Sequence, residues 1–146
     1  MANEVPYAFP VELLKGNHDF ASDTFKLALY TANPYTQSTS TVYVATSESS
    51  GTEYSAGGNT LTSNAVSNVA DIATVDFANS VWGSPTPATF SAAYGAIYNS
   101  SESNKLIVIL DFGGTKSCSN GTFTVTFPSP TSGSPSGADA LLSITS

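Results

Sequence analysis

The sequence predicts an all-β domain: an antiparallel two-sheet β-sandwich, jelly-roll-like, with one short N-terminal helical turn. Three observations predict it. Apolar residues alternate with hydroxyl-bearing ones in short runs, the period-two pattern of strands with one side packed. Clusters of Gly, Pro, Asn and Ser interrupt those runs about every 8–12 residues, which is sandwich spacing. Ser and Thr fill about a quarter of the chain while only 10% is charged, so the outer strand faces carry hydroxyls in place of charges.

The elements follow in order. "PVELLKG" at 10–16 gives the helical turn, with Pro10 at its first position, Glu12 in the first turn and Gly16 as the stop. "DTFKLALYT" sets Phe25, Leu27 and Leu29 on a buried face and Thr24, Lys26 and Ala28 on a wet one. "TVYVAT" at 41–46 reads as a second strand, and "SESSGTEYSAGGNT" as a turn-rich hairpin region. Residues 60–83 read as one or two strands around Val75, Phe77 and Val81, with a helix over 63–73 as the weaker alternative because Asn and Ser are poor helix formers.

"ATFSAAYGAIYN" aligns Phe90, Ala92, Tyr94, Ala96 and Tyr98 on one face, and "NSSESN" turns the chain into "KLIVILDFGG". Leu106 to Leu110 are apolar on both sides, which places that strand in the middle of a sheet packed against another layer. "GGTKSCSNG" is expected to turn the chain, and "TFTVTF" to return with Phe123, Val125 and Phe127 inward. Residues 128–137 form a Pro/Ser/Gly loop, and "ALLSITS" supplies a last strand. Residues 1–22 are thus expected as an N-terminal arm and 23–146 as the sandwich, one domain in total. A small closed barrel shares the same alternation.

Charge narrows the function. The net charge is −7, and the only cations are Lys15, Lys26, Lys105 and Lys116. Phosphate neutralisation needs clustered Lys or Arg, so nucleic acid is excluded as a partner, and an anionic membrane surface is excluded by the same sign. No apolar run reaches the roughly 20 residues that span a bilayer. The N-terminus shows no basic region followed by an apolar stretch, so synthesis without export, in the cytoplasm, is expected. Cys118 stands alone, which precludes an internal disulfide.

No motif assembles a reaction centre. Asp111-Phe112-Gly113 matches the metal-binding letters of kinases, but phosphoryl transfer also requires a Gly-rich phosphate loop and a catalytic loop, and neither is present. The triplet reads as a strand end, with Gly113 and Gly114 allowing positive φ. His18 beside Asp19 reads as part of a polar loop, since no Gly-x-Ser-x-Gly elbow accompanies it. One His and one Cys do not make a usual zinc shell, and the acids are spread singly without a calcium-loop run. Asn99 and Asn120 match the glycosylation pattern, yet both fall at expected hairpin turns. Tyr35 and Trp82 stand beside turn residues, where exposed rings would stack on a sugar or a partner; core packing is the competing place for Trp82. No catalytic, cofactor-binding or metal-binding residue is assigned.

"HDFASDTFKLALYTA", "ATFSAAYGAIYN", "KLIVILDFGG" and "NGTFTVTFP" together resemble, over most of residues 7–127, the small virion proteins of tailed bacteriophages, in length and layout the capsid decoration or cement proteins. The resemblance implies a non-enzymatic sandwich without a cofactor, made in the bacterial host cytoplasm. It implies a dimer or trimer on the capsid exterior that bridges neighbouring major capsid proteins. Related strand-rich virion proteins serve as head fibres or tail components, and a receptor- or carbohydrate-binding module is the alternative. Tyr7, Phe9, Leu13 and Leu14, four large apolar groups ahead of the first strand, are the expected capsid or subunit interface; capping of the sandwich is the competing role.

Overall fold

Phe25, Leu27 and Leu29 fix the central register in the computed structural model, which describes residues 3–62, 65–69, 72–127 and 142–145. β1 (Phe25–Tyr30) lies between β2 (Asn59–Thr60) and β6 (Ala88–Asn99), and β6 pairs onward with β7 (Lys105–Gly121), all antiparallel. A second ladder joins β3 (Ala65–Val69), β4 (Ile72–Asp76) and β9 (Leu142–Thr145). A third joins β5 (Ser80–Trp82) to β8 (Phe123–Val125). With one seven-residue helix, α1 (Ala8–Leu14), the described residues are all-β and antiparallel, as the alternation predicts. The helix expected as an alternative over 63–73 is replaced by β3 and β4.

The four-stranded sheet is covered on both faces. On the first face Phe25, Leu27, Leu29, Ile97, Ile107 and Leu110 meet Phe77, Trp82, Phe123 and Val125, so the third ladder packs over the sheet in sandwich fashion. On the second face Ala28, Tyr30, Ala96, Tyr98, Leu106 and Ile109 are covered by Tyr35, Tyr43 and Val44. The wet side expected for β1 therefore exists only at its start: Ala28 and Tyr30 are buried. The expected strand over 41–46 is an irregular segment with a single bridge, Val42 to Lys105.

Two irregularities in β7 overturn sequence expectations. Ile97 pairs with Val108 but Tyr98 with Leu106, leaving Ile107 as an extra residue. Farther on, Tyr94 pairs with Asp111 and Ala92 with Lys116, so Phe112 to Thr115 bulge opposite Ala93. Phe112, Gly113 and Gly114 of the Asp-Phe-Gly-Gly stretch lie in this bulge, with φ of +69° at Gly113 and +127° at Gly114, and the chain continues along β6 instead of turning back. Along β6 itself, Phe90 and Ala92 join the first cluster while Tyr94, Ala96 and Tyr98 join the second. The single shared face expected for these residues is thus two faces.

"TFTVTF" does bury Phe123, Val125 and Phe127 and expose the threonines between them, but it pairs with β5, not with the strand at 105–110. β7 is the last strand of its sheet, not a middle one. Its outer edge is covered nonetheless. Glu4 exchanges both backbone hydrogen bonds with Ile109 (2.9 and 2.8 Å), and Leu106 N–H donates to the Thr41 carbonyl (2.9 Å). Short pieces of chain here satisfy an edge that would otherwise invite pairing with another molecule. The expected loop at 128–137 lies outside the described residues.

Candidate docking surface and its supports

α1 begins two residues before the expected position. Pro10 fits there because first-turn N–H groups have no helical partner. Gly16, at φ +75°, closes the helix by donating to the Leu13 carbonyl (3.0 Å). The helical period then divides the apolar residues. Phe9 and Leu13 point into the first cluster, Phe9 buried and Leu13 half-buried. Tyr7, Val11 and Leu14, at i, i+4 and i+7, lie on the other side and are 63%, 51% and 90% exposed.

The four residues expected at an interface therefore separate: Tyr7 and Leu14 are exposed, Leu13 is half-buried, and Phe9 is a core residue. Phe9 corrects the sequence reading because the helix turns it inward against Phe20 and His18, at ring distances of 6.3 and 5.3 Å. Val11 was missed. Its signal was the spacing from Tyr7, visible only if the helix starts at residue 8. Residues 3–22 share the core with the sheet, through Phe9 and Phe20, instead of standing apart as an arm.

A polar cluster pins the helix to the β6–β7 hairpin. Glu12 accepts from Lys105 Nζ (2.9 Å) through Oε1 and from His18 Nε2 (3.4 Å) through Oε2. Asn99 Nδ2 donates to His18 Nδ1 (3.2 Å) and to Asp23 Oδ2 (2.7 Å), while its Oδ1 accepts from the backbone of Ser101 and Glu102. His18 lies in the loop between α1 and β1, as expected, but is buried, and burial pushes its pKa below the ordinary 6.5 against the opposing pull of Glu12. Asn99 is fully buried at the end of β6 and so is no glycosylation acceptor; Asn120 is exposed at φ +50°.

A second polar centre, unseen in the sequence, holds the segment that covers the sheet's second face. Glu48 accepts from Tyr43 Oη (2.6 Å), Tyr54 Oη (2.8 Å) and the Gly57 N–H (2.7 Å). Tyr54 Oη also accepts from the Leu29 N–H (2.8 Å). Tyr30 donates to the Val44 carbonyl (2.9 Å) and lies 2.6 Å from Tyr35 Oη, which accepts from the Val44 N–H (3.2 Å). Burial raises the pKa of Tyr30, Tyr35, Tyr43, Tyr54 and Tyr98, with Tyr98 pushed up to about 12.

Tyr35 and Trp82, expected as exposed loop contacts, are 7% and 3% exposed. Tyr35 is the partner of Tyr30, and Trp82 packs edge-on against Phe90 and Phe123 at 6.1 Å. Neither offers a ring to a ligand. Among the described residues no group of three or more His, Cys, Asp or Glu side chains is placed to hold a metal ion, and no helix is long and apolar enough to cross a membrane. What these residues offer is a surface: a short apolar ridge on a helix fixed from beneath. No protein-family model, curated protein or solved structure matches this chain.

Proposed function

We propose that this chain is a structural protein of a tailed-phage virion that decorates the capsid exterior and stabilises it by bridging major capsid proteins. The observation that carries this reading is the Tyr7, Val11 and Leu14 ridge, apolar, exposed and held in place by Phe9 and Glu12. Burying such a side chain contributes about 1.5–3 kcal/mol, so three adjacent ones make a compact docking point. A protein that binds only the assembled shell stabilises it by mass action. A net charge of −7 without arginine suits a position outside the shell, away from packaged DNA. A dimer or trimer, a jelly-roll winding of the sandwich and synthesis in the host cytoplasm belong to the same reading, with no cofactor. The sugar-binding alternative lacks the stacking rings it relied on, since Tyr35 and Trp82 are core residues.

The test is substitution, because deleting the arm would also remove the buried Phe9. Val11→Ser with Leu14→Ser leaves the core intact. The double variant is expected to fold normally and to show copies per purified phage head reduced by about tenfold or more. Wild-type occupancy by that variant, or absence of the wild-type chain from purified heads, contradicts the proposal.

A further inference from the structure

We infer that His18 is an acid-operated latch that holds α1 and the preceding arm residues against the β6–β7 hairpin, and that protonation of its Nδ1 releases them. The inference concerns the fold itself and stands whether or not the chain belongs to a capsid.

The hydrogen-bond pattern around the ring has one solution. Asn99 Oδ1 accepts from the N–H groups of Ser101 (3.0 Å) and Glu102 (3.2 Å), so the amide cannot be turned the other way without facing donors with donors. Its Nδ2 must therefore point at His18 Nδ1 and Asp23 Oδ2. Nδ1 is consequently an acceptor without a proton, and the ring hydrogen sits on Nε2, directed at Glu12. A proton added to Nδ1 would set N–H against N–H inside a site where the His18 side chain has no solvent exposure. Rotating Asn99 to accept it forfeits the bonds to Ser101, Glu102 and Asp23 together. The less costly response is for the ring to leave.

The charged groups that face His18 come from three elements: Glu12 of α1, Asp23 of the loop before β1 and Lys105 at the start of β7. Both carboxylates favour an imidazolium and the ammonium opposes it, but burial outweighs the carboxylates and the pKa is lowered from 6.5. The sign follows: the docked state holds a proton less readily than the released one, so docking is intact above about pH 6.5 and weakens below it. With a released-state pKa near 6.5, moving to pH 5 shifts the equilibrium by up to about 30-fold. Departure of the ring withdraws a partner from Glu12, loosens Phe9 from the core and frees the edge of β7 at Ile109, where Glu4 is bonded.

His18 is the chain's single histidine, so its imidazole nitrogens can be followed by NMR without ambiguity. On the full chain we expect the Nε2–H tautomer at pH 8 and a midpoint below 6.5. Exchange protection of the Asn17 and Ile109 amides, corrected for intrinsic rates, should fall by up to about 30-fold between pH 8 and pH 5. His18→Gln presents an acceptor and a donor that do not titrate, and its protection should not change over that range. A midpoint at or above 6.5, pH-independent protection in the wild type, or an equal fall in His18→Gln overturns the inference. Should His18→Gln fail to fold, the wild-type titration and exchange still decide.

Discussion

The two faces of the four-stranded sheet are closed by different physics. The first face is covered by other strands, by Phe9 of α1 and Phe20 of the loop after it, and by the ring of Tyr54, and its packing is mainly apolar: Phe25 stacks on Phe20 at 4.7 Å, and Phe90, Trp82 and Phe123 interlock. Its stability comes from apolar area and close packing, without regard to direction. The second face is covered by irregular chain between β1 and β2, which has no ladder to hold it. Tyr30, Tyr35, Tyr43 and Tyr98 do that work there, each burying a ring and bonding its hydroxyl to a backbone group or to Glu48. An irregular cover is possible only where side chains satisfy the backbone that strands would have satisfied.

This difference sets the response to alkali, the largest effect expected. Four tyrosines of the second face, Tyr30, Tyr35, Tyr43 and Tyr98, together with Tyr54, whose ring packs against Trp82 and Phe90 of the first cluster while its hydroxyl bonds Glu48, have pKa values raised by burial, so the folded state keeps protons that the unfolded chain loses above about pH 10. Their stabilisation is complete below that pH and is lost as pH rises. The tyrosinate absorbance of these five phenols should therefore rise together with the loss of native circular dichroism, and their ionisation while the dichroism stays native would break the contrast between the faces.

Next in size is Phe25→Ala on the first face, expected to cost about 3–5 kcal/mol in denaturant unfolding because the ring is fully buried. Glu48→Gln, on the other face, should cost about 2 kcal/mol, since one carboxylate receiving three donors is replaced by a group that itself donates. Leu14→Ser should change stability by less than about 0.5 kcal/mol, because the side chain lies on the surface. A larger loss there would mean that the ridge has a structural role and would weaken its assignment to docking.

The first face was legible in the sequence. Phe25, Leu27 and Leu29, and Phe123, Val125 and Phe127, alternate with polar residues, and period two reports a strand with one buried side. The second face was not legible, because its cover comes from chain that lacks period two and acts through side-chain bonds between distant positions. A partial signal existed in Ala28 and Tyr30, neither of which suits a wet face. The bulge at 112–115 escaped for a related reason: two glycines announce positive φ but do not say whether the chain turns back or continues. Of the docking candidates, the composition of residues 7–14 was visible, but which side chains point outward depends on the helix start, which lies at Ala8, two residues ahead of Pro10.

Amide exchange of the wild type against Glu48→Gln tests the separate closure of the two faces most directly. Protection of the Tyr43 and Ser49 amides, bonded to the Asn104 and Leu29 carbonyls, should fall, while the β1–β6 ladder around Leu27 and Ile97 keeps its own. An equal loss of protection in both places, or in neither, would contradict it.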